Sequence, residues 1–220
     1  HIHYQDLNIE FVSGNISASK VKITPKITDN QNVLQLNGTV DSLFISNLGI
    51  YDVILNKKIN AKYVKLFRPN LQIILPENQD AHKNKKRPLI SKNLVIEDGN
   101  VEILRFDKSK FLSIENLSLN VENLKLTEKN VTRKLPIAFD QYSIKSKAFH
   151  FYPDEVYHIS AAEINTENGQ MSVTDFSMKP LMNFSEFSRK FPRKSLLDIS
   201  SQKMNFKDIV LKKNKISLSD

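Results

Sequence analysis

The sequence predicts a mainly β protein: an elongated, curved antiparallel sheet of successive hairpins, an open groove or taco-like trough, with one or two short helices. Three observations lead there. Apolar residues recur at every second position in one segment after another, the spacing of a strand with one buried face. Prolines close several of these segments, and a residue without an N–H suits a strand end or an edge. Helical spacing is confined to short stretches.

In chain order, residues 20–25 (KVKITP) alternate and stop at Pro25, and residues 33–40 (VLQLNGTV) alternate through Leu34, Leu36 and Val40. Residues 48–55 (LGIYDVIL) suit a short helix, with Gly49 near its start. Residues 70–76 (NLQIILP) alternate again and end at Pro76. Asp98-Gly99, between residues 93–97 and 100–104, is the strongest hairpin signal in the chain. Asn168-Gly169, between residues 162–164 and 171–173, is the second. Residues 113–126 (SIENLSLNVENLKL) nearly repeat themselves. They read as one strand with bulges at Glu115-Asn116 and Glu122-Asn123, where the alternation changes phase. An amphipathic helix is the alternative there, since Ile114, Leu117, Val121 and Leu124 fit a heptad. Residues 171–180 alternate through Met171, Val173, Phe176 and Met178 to Pro180. Phe184, Phe187 and Phe191 share one helical face, and Pro192 ends that helix. Residues 215–219 (KISLS) form a last strand.

The chain has 220 residues, 32 Lys and Arg against 24 Asp and Glu, and a formal net charge of +8. A hydrophobic fraction of 40% lies well above the disordered regime. With no cysteine, disulfides, thiol catalysis and cysteine-held metals are excluded. No apolar window is long enough to span a membrane. No Gly/Ser linker divides the chain. We expect one elongated β-rich domain, 1–220, whose lobes, if it has two, are 1–77 and 89–220 around the charged loop 78–88.

No motif names a reaction. Nucleophile elbows, zinc-protease helices, phosphate loops and dinucleotide fingerprints are all absent, and five glycines leave little for a phosphate cradle. His150 and His158 are eight residues apart and can face one another across a hairpin. A metal needs three or four converging ligands, so they read as rim imidazoles. The expectation is a protein that is not an enzyme, with no metal and no cofactor. Basic runs occur at Lys83, Lys85, Lys86 and Arg87, at Arg189, Lys190, Arg193 and Lys194, and at Lys212, Lys213 and Lys215. Such runs hold phosphates of anionic lipid or nucleic acid, or are simply solvated. Aromatics are not interleaved with them as a base-stacking platform needs, so nucleic acid is not favoured.

A row of hairpins with one apolar face and no matching lid leaves that face to be covered by lipid chains, another protein or a second copy. Residues 94–126 (LVIEDGNVEILRFDKSKFLSIENLSLNVENLKL) resemble the unit of AsmA-like bacterial envelope proteins. Residues 49–76 resemble the same family through a short helix and Lys-rich turn before a strand pair. Residues 156–191 resemble its Bacteroidetes-type variants, in which a strand pair runs into a proline and then a Ser/Glu/Phe helix. The resemblance implies a periplasmic protein with a lipid-binding β-groove, anchored to the inner membrane by a segment upstream of residue 1 and connected with lipid transfer or outer-membrane integrity. The expected lining is Leu71, Ile73, Leu75, Ile114, Leu119, Val121, Val173 and Phe176. Two alternatives compete with a groove: a closed, adhesion-type β sandwich that binds protein or polysaccharide through its loops, and a polyanion-binding module using the basic runs.

Overall fold

A computed structural model describes residues 1–25, 34–49, 53, 59–77, 89–126, 137–138, 140–167, 169–207, 209–212 and 215–218. The first strands are short: β1 (Ile2–His3) and β2 (Asp6–Glu10). They are followed by β3 (Asn15–Ile23), β4 (Gln35–Ser46), β5 (Ile59–Phe67) and β6 (Asn70–Ile74). Two long strands, β7 (Leu89–Leu104) and β8 (Lys110–Leu126), occupy the middle. After the short β9 (Ile137–Ala138) come β10 (Gln141–Phe151), β11 (Tyr157–Glu167) and β12 (Gln170–Pro180). Helix α1 (Phe184–Lys190) leads into β13 (Ile199–Phe206). Strands β1 to β13 form one 13-stranded sheet, in the order β1-β3-β4-β5-β7-β8-β10-β11-β12-β13, with β2 paired to β3, β6 placed between β4 and β7, and β9 paired to β8. A separate two-stranded sheet pairs β14 (Ile209–Lys212) with β15 (Lys215–Leu218). The elongated, curved, mainly β architecture is therefore present.

The sheet is mixed, not wholly antiparallel as expected. β5 and β6 both run parallel to β7, Leu66 beside Ile96 and Ile73 beside Ile103. The two form one line: β4 pairs with both, Ser42 with Phe67 and Leu36 with Ile73. Parallel neighbours need a crossover, and Ile74 accordingly pairs with Leu104, at the far end of β7 from Leu89. Residues 78–88, the charged loop, lie outside the described residues, so the proposed lobe boundary does too.

Asp98-Gly99 does not turn the chain. β7 runs through it unbroken, and the turn to β8 falls at residues 105–109. Instead it belongs to a crease. Lys20, Arg68, Asp98, Asn116, Ala148 and Asp175 all have positive φ, between 44° and 53°, and each falls at a gap in the ladder of its strand line. The gaps occur on six strand lines of the one sheet. Apolar spacing changes at four of them: Ala18 to Val21, Ile96 to Gly99, Ile114 to Leu117, Val173 to Phe176. Strict alternation flips faces over three residues, and the left-handed residue absorbs the extra step, keeping the apolar set on one side. The predicted bulge at Glu115-Asn116 forms, with a register shift and φ of 48° at Asn116; at Glu122-Asn123 the ladder keeps its register, although Asn123 has φ of 53°, and residues 113–126 are strand, not helix.

At the crease Pro69 is fully buried, and the Asn100 N–H donates to its carbonyl at 2.7 Å. A Cβ on Gly99 would lie 2.8 Å from Ile96 Cγ2 and 2.9 Å from Pro69 Cγ, so glycine there answers a close approach. The hairpin expected there forms between β11 and β12: Glu167 pairs with Gln170, and Gly169 has φ of 74°, while Asn168 lies outside the described residues. Helix α1 forms where the Phe spacing placed it, its first turn capped by the Asn183 side chain accepting from the Glu186 N–H. Most of the helix expected over residues 48–55 lies outside the described residues, although the Val53 N–H donates to the Gly49 carbonyl at 3.0 Å.

Candidate functional site

Cross-strand partners share a face, so the register assigns both faces of the sheet. One row runs Leu36, Ile73, Ile103, Leu112, Phe151, Ile159, Met178, Ile199, apolar across eight strands. A second, beyond the crease, runs Leu7, Ala18, Leu43, Leu66, Ile96, Leu119, Ile144. A third runs Ile9, Ile16, Ile45, Val64, Leu94, Val121, Tyr142. One residue over from the first, on the opposite face, the row is Asn37, Gln72, Glu102, Ser113, His150, Ser160, Ser177, Ser200, with no apolar member.

The structure brings the residues picked from sequence onto the apolar face. Ile73, Leu119 and Val121 stand in the rows above. Leu71 pairs with Val101, which pairs with Ile114. Val173 sits between Ile164 and Met204, and Phe176 beside Ser201. Leu75 follows β6, its N–H donating to the Leu104 carbonyl at 2.9 Å. Sequence reading missed Leu36, Ile103, Leu112, Phe151, Ile159 and Ile199. Their place in the row is set by register with the neighbouring strands.

Burial is one-sided. The small cluster of Ala18, Val21 and Val40, with Ile23, Leu43, Leu66 and Leu71 against it, is the densest packing on the face. Val121 and Val173 are also buried, whereas Leu71, Ile73, Leu75, Ile114, Leu119 and Phe176 stay half-exposed. The chain exposes 15382 Å², against about 10,300 Å² for a compact monomer of this mass. A hollow of about 300 Å³ opens beside Ile96, Leu119, Ile144 and Thr166. Two of the polar side chains buried here are answered: Ser91 donates to the Asn93 carbonyl at 2.8 Å, and the Thr166 hydroxyl accepts the Ile144 N–H at 2.7 Å.

The polar face carries paired groups. Lys65 bridges Glu97 at 2.8 Å, which holds the Lys65 ammonium above its ordinary pKa, and Arg68 bridges Asp41 at 2.9 Å. The expected meeting of His150 and His158 occurs: Nδ1 of His150 lies 3.1 Å from Nε2 of His158, and Tyr152 stacks on His158 at 4.4 Å. Burial lowers the His158 pKa first, with His150 and Lys110 adding to it. Among the described residues, no three histidines or carboxylates converge as a metal site needs. The second basic run lies at α1, where Lys190 bridges Glu155 at 2.6 Å and Lys194 Nζ stands 5.3 Å over the Phe191 ring. Lys83, Lys85, Lys86 and Arg87 lie outside the described residues, as does Lys213.

Comparison with family models and with curated proteins finds no match. Among the described residues no helix is long and apolar enough to cross a membrane.

Proposed function

We propose that this is a non-enzymatic protein of the bacterial envelope whose apolar sheet face binds lipid acyl chains. The observation that carries the reading is the set of unbroken apolar rows across the sheet, many of their side chains half-exposed, the first of them backed by a wholly polar row on the other side. An acyl chain laid across such rows leaves water at about 0.8 kcal/mol per methylene, and a face built of rows accepts chains of different length without any residue-specific contact. The sequence resemblance to AsmA-like envelope proteins supports the same assignment and, with it, a periplasmic location and a part in lipid transfer or outer-membrane integrity.

The test is mass spectrometry of protein purified without detergent. Phospholipid bound in stoichiometric amount supports the reading. An apolar face that carries no lipid and is shielded from solvent probes returns the protein to the adhesion-type alternative.

A further inference from the structure

We infer that α1 and the segment around it form a docking surface for an anionic lipid membrane, placed at the end of the sheet where the apolar face runs out. This deepens the acyl-chain reading and rests on it for its biological sense, but its geometry is independent of the face.

Residues 181–198 join β12 to β13, whereas β11 turns into β12 between Glu167 and Gln170. A connection that long with its own helix is uncommon in a chain of hairpins and asks for a function. It is also firmly held. Phe187 is 3% exposed, the Leu181 N–H donates to the Val156 carbonyl at 2.7 Å, and the Leu197 N–H donates to the Tyr157 hydroxyl at 3.2 Å. Yet this anchored segment leaves Phe184 68%, Leu181 53% and Leu197 47% exposed. Side chains that could have been polar at no cost to the anchor are large and apolar.

Cations lie on the same segment. Arg189 and Lys190 occupy the last turn of α1, and Arg193 and Lys194 follow it. The ammonium groups of Lys190 and Lys194 lie 6.0 and 5.3 Å from the Phe191 ring, so charge and apolar surface are interleaved. Four carboxylates lie nearby: Glu155 pairs with Lys190, Asp154 accepts the Val156 and Tyr157 N–H groups and keeps its charge, and Glu186 and Asp198 belong to the segment, so within residues 181–198 four cations stand against two carboxylates. Apolar side chains that enter the acyl boundary beside cations that meet phosphate are the chemistry of an anionic bilayer surface. A soluble polyanion needs the cations but not the exposed phenylalanine. Ile199, directly after the segment, is 44% exposed and begins the row Ile199, Met178, Ile159, so a membrane docked here meets the open end of the apolar face.

The experiment is co-sedimentation with phosphatidylcholine vesicles, with and without phosphatidylglycerol, at low and physiological salt. The protein is expected to bind the anionic vesicles far better than the neutral ones. Replacing Arg189, Arg193 and Lys194 together by Gln should weaken that binding on the order of 100-fold, at about fivefold per charge. Phe184→Ser should weaken it roughly tenfold while leaving the melting temperature unchanged, since the side chain is exposed. Equal binding to both vesicle types, or full binding by either variant, overturns the inference. So does capture by heparin that the Arg/Lys variant abolishes but Phe184→Ser leaves intact, which assigns the patch to a soluble polyanion. Bound lipid in the variants is measured alongside. Vesicle binding lost with lipid retained separates the two functions, and vesicle binding without any bound lipid leaves the docking surface standing and removes the acyl-chain reading.

Discussion

Replacing Gly38 by alanine should damage the sheet far more than the same change at Gly169, and the difference follows from their surroundings. Gly38 has φ of +152°, and a Cβ there would stand closer than any real contact to the Asn70 carbonyl oxygen and 3.0 Å from Leu71 Cα. Both atoms belong to the backbone of β6, so no rotamer change relieves the clash. β4 must move off β6 along the ladder from Gln35–Ile74 to Thr39–Asn70. Overpacking of this kind costs about 1–3 kcal/mol, and the φ strain adds roughly 1 kcal/mol. Gly169 has φ of +74° with nothing within 4 Å of the added Cβ, so only the strain remains. In a chain of this size 1 kcal/mol moves the melting temperature by about 2–4 °C. Thermal unfolding followed by far-ultraviolet circular dichroism should therefore show a drop of roughly 8 °C or more for Gly38→Ala and about 3 °C for Gly169→Ala. Equal drops at the two positions would refute the close approach of β4 and β6, and with it the register of the apolar rows.

The His150–His158 pair makes stability sensitive to acid. Because the folded-state pKa of His158 is lowered, protonation favours the unfolded chain. Its contribution is whole above the ordinary value of 6.5 and is lost as pH falls below that; melting temperatures between pH 7 and 5 should fall less steeply for His158→Gln than for the parent, and parallel curves would deny the pair its role. Glu10 and Asp107, held below their ordinary 4.5 and 3.8 by hydrogen bonds from Ser13 and Ser109, act only in stronger acid. Arg105 fastens the β7–β8 turn to the next one. Its guanidinium donates to the carbonyls of Lys110, at 2.5 Å, and of Tyr152, and covers the Phe111 ring at 5.1 Å. Arg105→Ala should cost about 2–3 kcal/mol, and Arg105→Lys should recover little of it, because one ammonium cannot reproduce the planar fork; urea titration reads both, and full rescue by lysine would contradict the geometry.

Much of this architecture is legible in the residues themselves. Alternation locates β3, β6, β8 and β12, and the left-handed residues Asn116 and Asn123 are readable because the near-repeat IENLSLN/VENLKLT shows the same break in alternation twice. Asp98-Gly99 misleads for a physical reason. A left-handed Asp followed by a glycine suits a tight turn, but it equally suits a crease, where Gly99 makes room for Pro69 and Ile96 of the same layer. Which use applies depends on what lies across the ladder, and local sequence does not contain that. The parallel seam hides in the polar run 78–87, which looks like any charged loop. Its one readable sign is length: enough residues separate Ile74 from Leu89 for a crossover. Membership of the apolar face is legible wherever single strands alternate cleanly, as with Leu71 and Ile73. Phe151, Ile159 and Ile199 escaped because their place on the face depends on register with neighbours rather than on spacing within a strand.

The most direct measurement is photo-crosslinking along single strands. Benzophenone side chains placed in turn at Ser118, Leu119, Asn120 and Val121 on β8, and at Gln72 and Ile73 on β6, report what each face touches in protein produced in a bacterial envelope. An open apolar face that holds acyl chains gives lipid adducts at Leu119, Val121 and Ile73 and none at Ser118, Asn120 and Gln72. Protein-only adducts at the apolar positions, or lipid adducts that ignore the alternation, would contradict it.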